Sequence, residues 1–228
     1  MGVDCVKIGS IQPIKELCDI THNYGALFHT DAVQAVGHIN IDVKKLGIDM
    51  MSGSAHKFNG PKGIGFLYIR KGVDIVSFNS GGSQEFGLRA VTENVAAIVG
   101  MAIALKKNVS AIESTSSQLL GLKKLLIQEL NGLDFIRNGA PCHIPGIISL
   151  SFNGCDGETI MHRMDLKGIC ISTGAACDNV HTQLSHVIKK IGIPENYAKG
   201  TIRISLGKYN TREDVLNISK SLAEIIKF

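Results

Sequence analysis

The stretch Phe28-His29-Thr30-Asp31-Ala32-Val33-Gln34 is answered about two dozen residues later by Ser52-Gly53-Ser54-Ala55-His56-Lys57. Each polar cluster follows a short apolar run, Gly25-Ala26-Leu27-Phe28 before the first and Ile48-Asp49-Met50-Met51 before the second. Two strands that deliver polar side chains at their C-terminal ends describe an α/β site, because ligands of such sheets bind beyond those ends. A lysine in one cluster facing a carboxylate in the other suits carbonyl or Schiff-base chemistry.

Working outward, the pattern predicts alternating elements. Ile11, Ile14, Leu17 and Cys18 fall at helical spacing over 10–24, with Ser10 as cap, Pro13 in the first turn and Gly25 closing the end. Strands are expected at 26–31, 48–52 and 63–70, with a short helix near Asp42–Leu46 ending at Gly47 and a turn at Gly60-Pro61-Lys62-Gly63. Such alternation argues for a mostly parallel sheet with covering helices. From Asp74 to Ala90 the chain turns glycine-rich and polar, which suits a loop near a site or interface. Helices follow from about Thr92 into the late 100s and over 116–130, the second carrying Leu119, Leu122, Leu126 and Leu130. Beyond them the pattern reads strand 147–152, helix 157–166, strand 168–172, helix 182–191, strand 201–205 and a last helix from Arg212, capped by Thr211-x-x-Asp214. The expected fold is α/β, with a large domain over 1–95 and a smaller α+β domain over 96–228.

Composition excludes several function classes. Hydrophobic content of 44% with 19% charged residues over 228 residues is that of an ordinary globular protein. The net charge of +4 is spread out, and Lys44-Lys45, Lys106-Lys107, Lys123-Lys124 and Lys189-Lys190 read as solvated helix faces. With 5% aromatics and no stacking pattern among basic residues, direct nucleic-acid binding is not expected. The first residues show no secretory signal, and the longest apolar run, Val95 to Leu105, is too short to cross a bilayer. The expected compartment is the cytoplasm, with no membrane partner. Six cysteines form no C-x-x-C pair, and Cys177-x-x-x-His181 is at most half a metal site, so no metal is expected.

The two clusters carry a more specific reading. A lysine is surface charge by default, but Lys57 follows an apolar strand inside Ser54-Ala55-His56-Lys57-Phe58-Asn59-Gly60-Pro61. Asp31 is either an N-cap or strand-end carboxylate or, with Lys57, the group that keeps a pyridine nitrogen protonated, the arrangement that makes pyridoxal 5'-phosphate (PLP) an electron sink. Gln34 then suits the cofactor's phenolic oxygen, and Ser54 and His56 its phosphate, with His56 beside the lysine able to relay protons. Alone, a histidine such as His56 is more often a satisfied core residue.

These residues, with Gly82-Ser83-Gln84-Glu85-Phe86-Gly87-Leu88-Arg89-Ala90-Val91-Thr92-Glu93-Asn94, Ile171-Ser172-Thr173-Gly174-Ala175-Ala176-Cys177 and Ile202-Arg203-Ile204-Ser205-Leu206-Gly207, resemble the class V aminotransferase fold, and within it the cysteine desulfurases. The resemblance runs from about Ile8 to the C-terminus. It implies a partial fold-type-I PLP domain and a small domain carrying the catalytic-cysteine loop. It implies that Lys57 holds PLP and later moves protons, and that Arg203 grips the carboxylate of substrate L-cysteine, as a planar bidentate donor can. Thr92 resembles the threonine that reaches the phosphate of the other subunit, which implies a homodimer. Cys177 resembles the nucleophile that takes sulfur as a persulfide and releases alanine, and Asp178-Asn179-Val180-His181-Thr182 fits a flexible loop after it. A buried structural role for Cys177, and a surface role for Arg203, are the plain alternatives. The persulfide implies an acceptor protein, such as an iron–sulfur scaffold or a tRNA-thiolation protein.

The chain also departs from the family pattern. Members are longer at the N-terminus, so the resemblance implies a chain that begins inside the PLP domain. Cys5-Val6-Lys7-Ile8-Gly9 stands where the family has Asn-Asn-Glu-Ile-Gly, and Ala90-Val91-Thr92 replaces a small-Gly-Thr turn. Competing readings are a class V transaminase or selenocysteine lyase using the same lysine, and a non-catalytic dimerisation remnant.

Overall fold

The computed structural model describes residues 2, 4–5, 8–173 and 185–227. In chain order the first elements are β1 (Asp4–Cys5), β2 (Ser10–Ile11), α1 (Ile14–Asn23), β3 (His29–Asp31), α2 (Val43–Leu46), β4 (Met50–Ser54) and β5 (Gly65–Ile69), with a 3-10 turn at Ala55–Phe58. They are followed by α3 (Val95–Ser110), α4 (Ile112–Glu129), β6 (Phe135–Asn138), β7 (Ile147–Phe152) and α5 (Gly157–Asp165). The last are α6 (His186–Lys190), α7 (Glu195–Ala198), β8 (Thr201–Ser205) and α8 (Arg212–Ile226). Two compact units result, Met1–Val3 with Gln12–Ile112, and Asp4–Ile11 with Glu113–Phe228. The division therefore falls after α3 and not at 95/96. Met101, Ala104 and Leu105 of α3 pack on the first unit's core, which fixes that helix there.

In the first unit the sheet order is β3-β4-β5. β3 and β4 are parallel, pairing Asp31 with Ser52, whereas β5 runs antiparallel to β4. The expected mostly parallel sheet is thus mixed among the described residues. Only ten residues separate Ser54 from Gly65, too few for the crossover a parallel neighbour needs. Close approach of β4 and β5 requires glycine: a Cβ on Gly65 would lie 2.5 Å from the Gly53 carbonyl oxygen. Ile14, Cys18, Phe28, Ile48, Met51 and Phe58 are buried together with the small Ala32, Ala35 and Ala55.

Beneath this core lies a buried charge. Asp49 is 0% exposed. It accepts from the Phe28 N–H and His22 Nε2, both at 2.7 Å, and from Arg70 Nε at 2.7 Å. Burial pushes its carboxyl up, but the bonds from Phe28, His22 and Arg70 together hold it below the ordinary value.

The helix expected over 10–24 starts only at Ile14. Ser10 does not cap it but lies in β2, its hydroxyl accepting from the Ala140 N–H at 2.9 Å within the second unit. Likewise α3 starts at Val95 and not at Thr92, because the Asn94 side chain accepts from the Ala97 N–H and caps it.

The second unit builds an antiparallel sheet in the order β6-β7-β8. Central β7 is buried at every position. Its Ile148, Leu150 and Phe152 join Leu119, Leu122, Leu126 and Leu130, Ile160 and Met164 of α5, and Val215, Ile218 and Leu222 of α8 in one core. The alternate residues Ser149 and Ser151 are buried polar groups, satisfied by Asn138 Nδ2 at 3.0 and 2.8 Å. The capping box at Thr211 and Asp214 forms as expected. Two expectations fail here. The strand at 168–172 reduces to one bridge, Ser172 with Arg203. Its first residues belong instead to the turn that closes α5, where Gly168 has φ of 74° and the Ile169 N–H donates to the Met164 carbonyl. Lys123 is not part of a solvated face: it lies four residues after Leu119, on the flank of the apolar stripe, and is 7% exposed. The described part of the helix expected at 182–191 is His186–Lys190. No single helix among the described residues is long and apolar enough to cross a membrane.

Candidate cofactor and substrate site

The parallel pairing of β3 and β4 brings Asp31, the last residue of β3, level with Ser52 of β4. The Asp31 Oδ1 accepts from the Val33 N–H at 2.8 Å, and the Ala32 carbonyl accepts from the N–H groups of Ala35 and Val36. Asp31 therefore caps the turn that carries Gln34, and the turn in return fixes its carboxylate. Gln34 is half-buried on this turn.

β4 continues two residues past Ser52 to Ser54, and the chain then closes into the 3-10 turn that carries His56 and Lys57. Ser54 Oγ and His56 Nδ1 lie 2.8 Å apart in a hydrogen bond. Ala55 and Phe58 are fully buried and anchor the turn, which leaves His56 exposed and Lys57 half-buried between them. Asn59, in the left-handed region with φ of 63°, ends the turn, and the Gly60 N–H donates to the Ala55 carbonyl at 2.8 Å. The ends of β3 and β4, with the turn after β4, thus carry a carboxylate, a hydroxyl–imidazole pair and a primary amine. This donor set fits an aldehyde-bearing pyridine phosphate: amine for aldehyde, carboxylate for ring nitrogen, hydroxyl and imidazole for phosphate.

The other expected residues lie elsewhere. Thr92 is exposed in the segment ahead of α3. Arg203 is in the second unit, on β8, where it pairs with Ser149 on one side and exchanges backbone bonds of 2.6 and 3.1 Å with Ser172 on the other. That exchange ties the start of the motif 171–177 to the strand that bears Arg203. Cys177 itself lies outside the described residues. No cluster of three or more metal-ligating side chains occurs among the described residues.

Two groups beside the lysine escape a reading of the sequence. His38 Nε2 donates to the Lys57 carbonyl at 2.8 Å, and Asn108 Nδ2 donates to the Phe58 carbonyl at 2.7 Å. Their spacing from Lys57, 19 residues for His38, follows no motif that periodicity could have flagged. His29 with Ser52, bonded at 2.8 Å, could have been found: His29 stands two before Asp31 and so shares its strand face.

The aminotransferase class-V family matches residues 6–218. The chain is 42% identical over 226 residues to the cysteine desulfurase IscS of Clostridium botulinum (strain Hall), covering 97% of this chain and 57% of that relative. It is 44% identical over 223 residues to the cysteine desulfurase IscS of Dictyoglomus turgidum, covering 96% of this chain and 56% of that one. Among solved structures, a NifS-like protein superposes with a TM-score of 0.90 at 37% identity, covering 100% of this chain and 60% of its own. A NifS-like protein from Rickettsia africae does so with a TM-score of 0.87 at 31% identity, covering 100% and 61%. The chain spans about 57% of the length of the curated relatives it matches.

Proposed function

The chain belongs to the class-V aminotransferase family, a PLP-dependent family, and from that premise we propose that it carries the lysine side of a cysteine desulfurase that turns L-cysteine into L-alanine. The observation that carries this reading is the strand-end cluster of Asp31, Ser54, His56 and Lys57, whose chemistry matches the aldehyde, ring and phosphate of PLP. When bound there, PLP supplies the electron sink that lets bonds at the substrate's carbons be broken.

The chain's own residues divide the remaining work. Lys57 holds the cofactor and then moves a proton, with His56 next to it as relay. Asp31, oriented by the Val33 N–H, keeps the ring nitrogen protonated, and Gln34 on the same turn meets the phenolic oxygen. Arg203 binds the substrate carboxylate as a bidentate donor. The Cys177 thiol takes the substrate's sulfur: L-cysteine and the thiol become L-alanine and a persulfide on Cys177, with no external oxidant or reductant. Thr92 reaches the phosphate of a second subunit, so the working form is a homodimer. The persulfide passes to an acceptor protein of iron–sulfur cluster assembly or tRNA thiolation, in the reducing cytoplasm. The described cysteines, Cys18, Cys142, Cys155 and Cys170, are free thiols, which suits that compartment.

A PLP titration of the purified chain followed by absorbance tests the cofactor assignment, with Lys57→Ala expected to abolish the bound-cofactor band. Sulfide and alanine formation from cysteine tests the reaction. Activity retained in Cys177→Ser would assign the chain to another branch of the family, and absence of any PLP band in the wild type would overturn the reading.

A further inference from the structure

The turn that carries Lys57 is only four residues long, and a 3-10 turn of that length makes few bonds of its own. Its two last carbonyls are each satisfied from outside. His38 Nε2 donates to the Lys57 carbonyl at 2.8 Å. Because a carbonyl only accepts, Nε2 carries the proton there, and both the Nε2–H tautomer and the imidazolium can make this bond. Asn108 Nδ2 donates to the Phe58 carbonyl at 2.7 Å and to the Ala104 carbonyl of its own helix at 2.8 Å. The three parts are in contact: a Cβ on Gly37 would stand 2.9 Å from Phe58 Cβ and 3.3 Å from Asn108 Cβ. The donors come from the segment that follows Asp31 and Gln34, and from α3.

We propose that His38 and Asn108 are positioning residues that clamp the backbone of the Lys57 turn, and thereby hold the lysine in register with the Asp31–Gln34 segment. The clamp rests on the reading of Lys57 as the cofactor-holding residue, but its mechanical part does not depend on any bound group. The Nε2 of His38 and the Nδ2 of Asn108 are spent on backbone carbonyls, those of Lys57, Phe58 and Ala104. Each acts through the peptide on one side of Lys57 or the next.

The test uses the full chain with four forms: wild type, His38→Phe, which keeps ring volume without a donor, His38→Gln, whose amide can place a donor near the Nε2 position, and Asn108→Leu. Hydrogen exchange at the Gly60 amide reads the turn without cofactor. Losing one such bond is expected to raise that rate about fivefold in His38→Phe and Asn108→Leu, and His38→Gln restores it. Borohydride trapping of PLP, with the modified lysine located by peptide mass, reads the second part: slower labelling of Lys57 in His38→Phe, restored in His38→Gln. Unchanged Gly60 exchange in both donor-less variants overturns the clamp. Changed exchange with unchanged labelling of Lys57 overturns its role toward the lysine. If wild-type chain is not labelled at Lys57 at all, the cofactor reading fails while the exchange measurement still decides the clamp. Should His38→Phe not fold, Asn108→Leu and His38→Gln carry the comparison.

Discussion

Asp49 is the residue on which the first unit's elements converge, since its carboxylate ties α1 through His22, the start of β3 through Phe28 and the end of β5 through Arg70. Asp49 is fully buried while Arg70 and His22 reach solvent. Asp49→Ala therefore chiefly leaves the buried Phe28 N–H without its acceptor, and should destabilise the chain by about 2 kcal/mol in urea unfolding. The pH dependence has a definite sign. The folded carboxyl titrates below the ordinary aspartate value of about 3.9. The unfolded state therefore binds the proton first as pH falls. The stabilisation is complete above pH ~4 and lost as pH drops through the folded value, and Asp49→Ala should remove that part of the acid transition. Little of this was legible in the sequence. Lys57 and Asp31 announce themselves because each heads a contiguous polar cluster after an apolar run. Asp49 sits inside such a run, and its partners lie 27 and 21 residues away, so only folding brings the charge and its bonds together.

At the scale of elements, α4 teaches the same lesson through Lys123. The leucines at 119, 122, 126 and 130 gave the helix and its buried stripe correctly, but not which lysine of the pair at 123–124 the stripe would draw in. Lys123 Nζ lies 2.5 Å from His143 Nε2, and His143 Nδ1 donates to the Pro141 carbonyl at 2.6 Å. Burial, with the nearby Arg137 charge adding to it, pushes the Lys123 ammonium down to about 8. Burial also lowers His143, against the pull of the Pro141 bond. Below the ordinary lysine value of about 10.4 the unfolded chain keeps the proton that the folded one sheds above about 8. Stability should therefore rise with pH across that window, by about 2 kcal/mol. Urea midpoints at pH 8 and pH 10 should differ more in wild type than in Lys123→Met, which has no proton to lose at that position. An equal difference in both would show that the amine is not held neutral. The strand β6 escapes for a different reason: its four residues, Phe135–Asn138, are too few to display alternation.

For the whole molecule, both α/β and α+β parts were legible because each is built from periodic apolar runs. The division after Ile112 was not, since it depends on Asn108 and the residues of α3 finding partners in the first unit. The segment between β5 and α3 read as a loop at a site or interface, and its exposure supports the second. Phe78 and Phe86 are 99% exposed, and Phe86 holds a left-handed φ of 59° that favours glycine. Val95, Val99 and Ile103 form a separate exposed apolar stripe along one face of α3 at intervals of four. A soluble monomer rarely leaves both aromatic side chains and an apolar helix stripe so open. The chain should therefore self-associate, with a sedimentation coefficient that rises with concentration over the micromolar range. Replacing the two rings together, Phe78→Ser with Phe86→Ser, should shift that curve toward the monomer. Helix content should not change, because neither side chain is part of the core. A concentration-independent coefficient in the wild type would mean that these rings meet no second copy, and the proposed homodimer would lose its support from this surface.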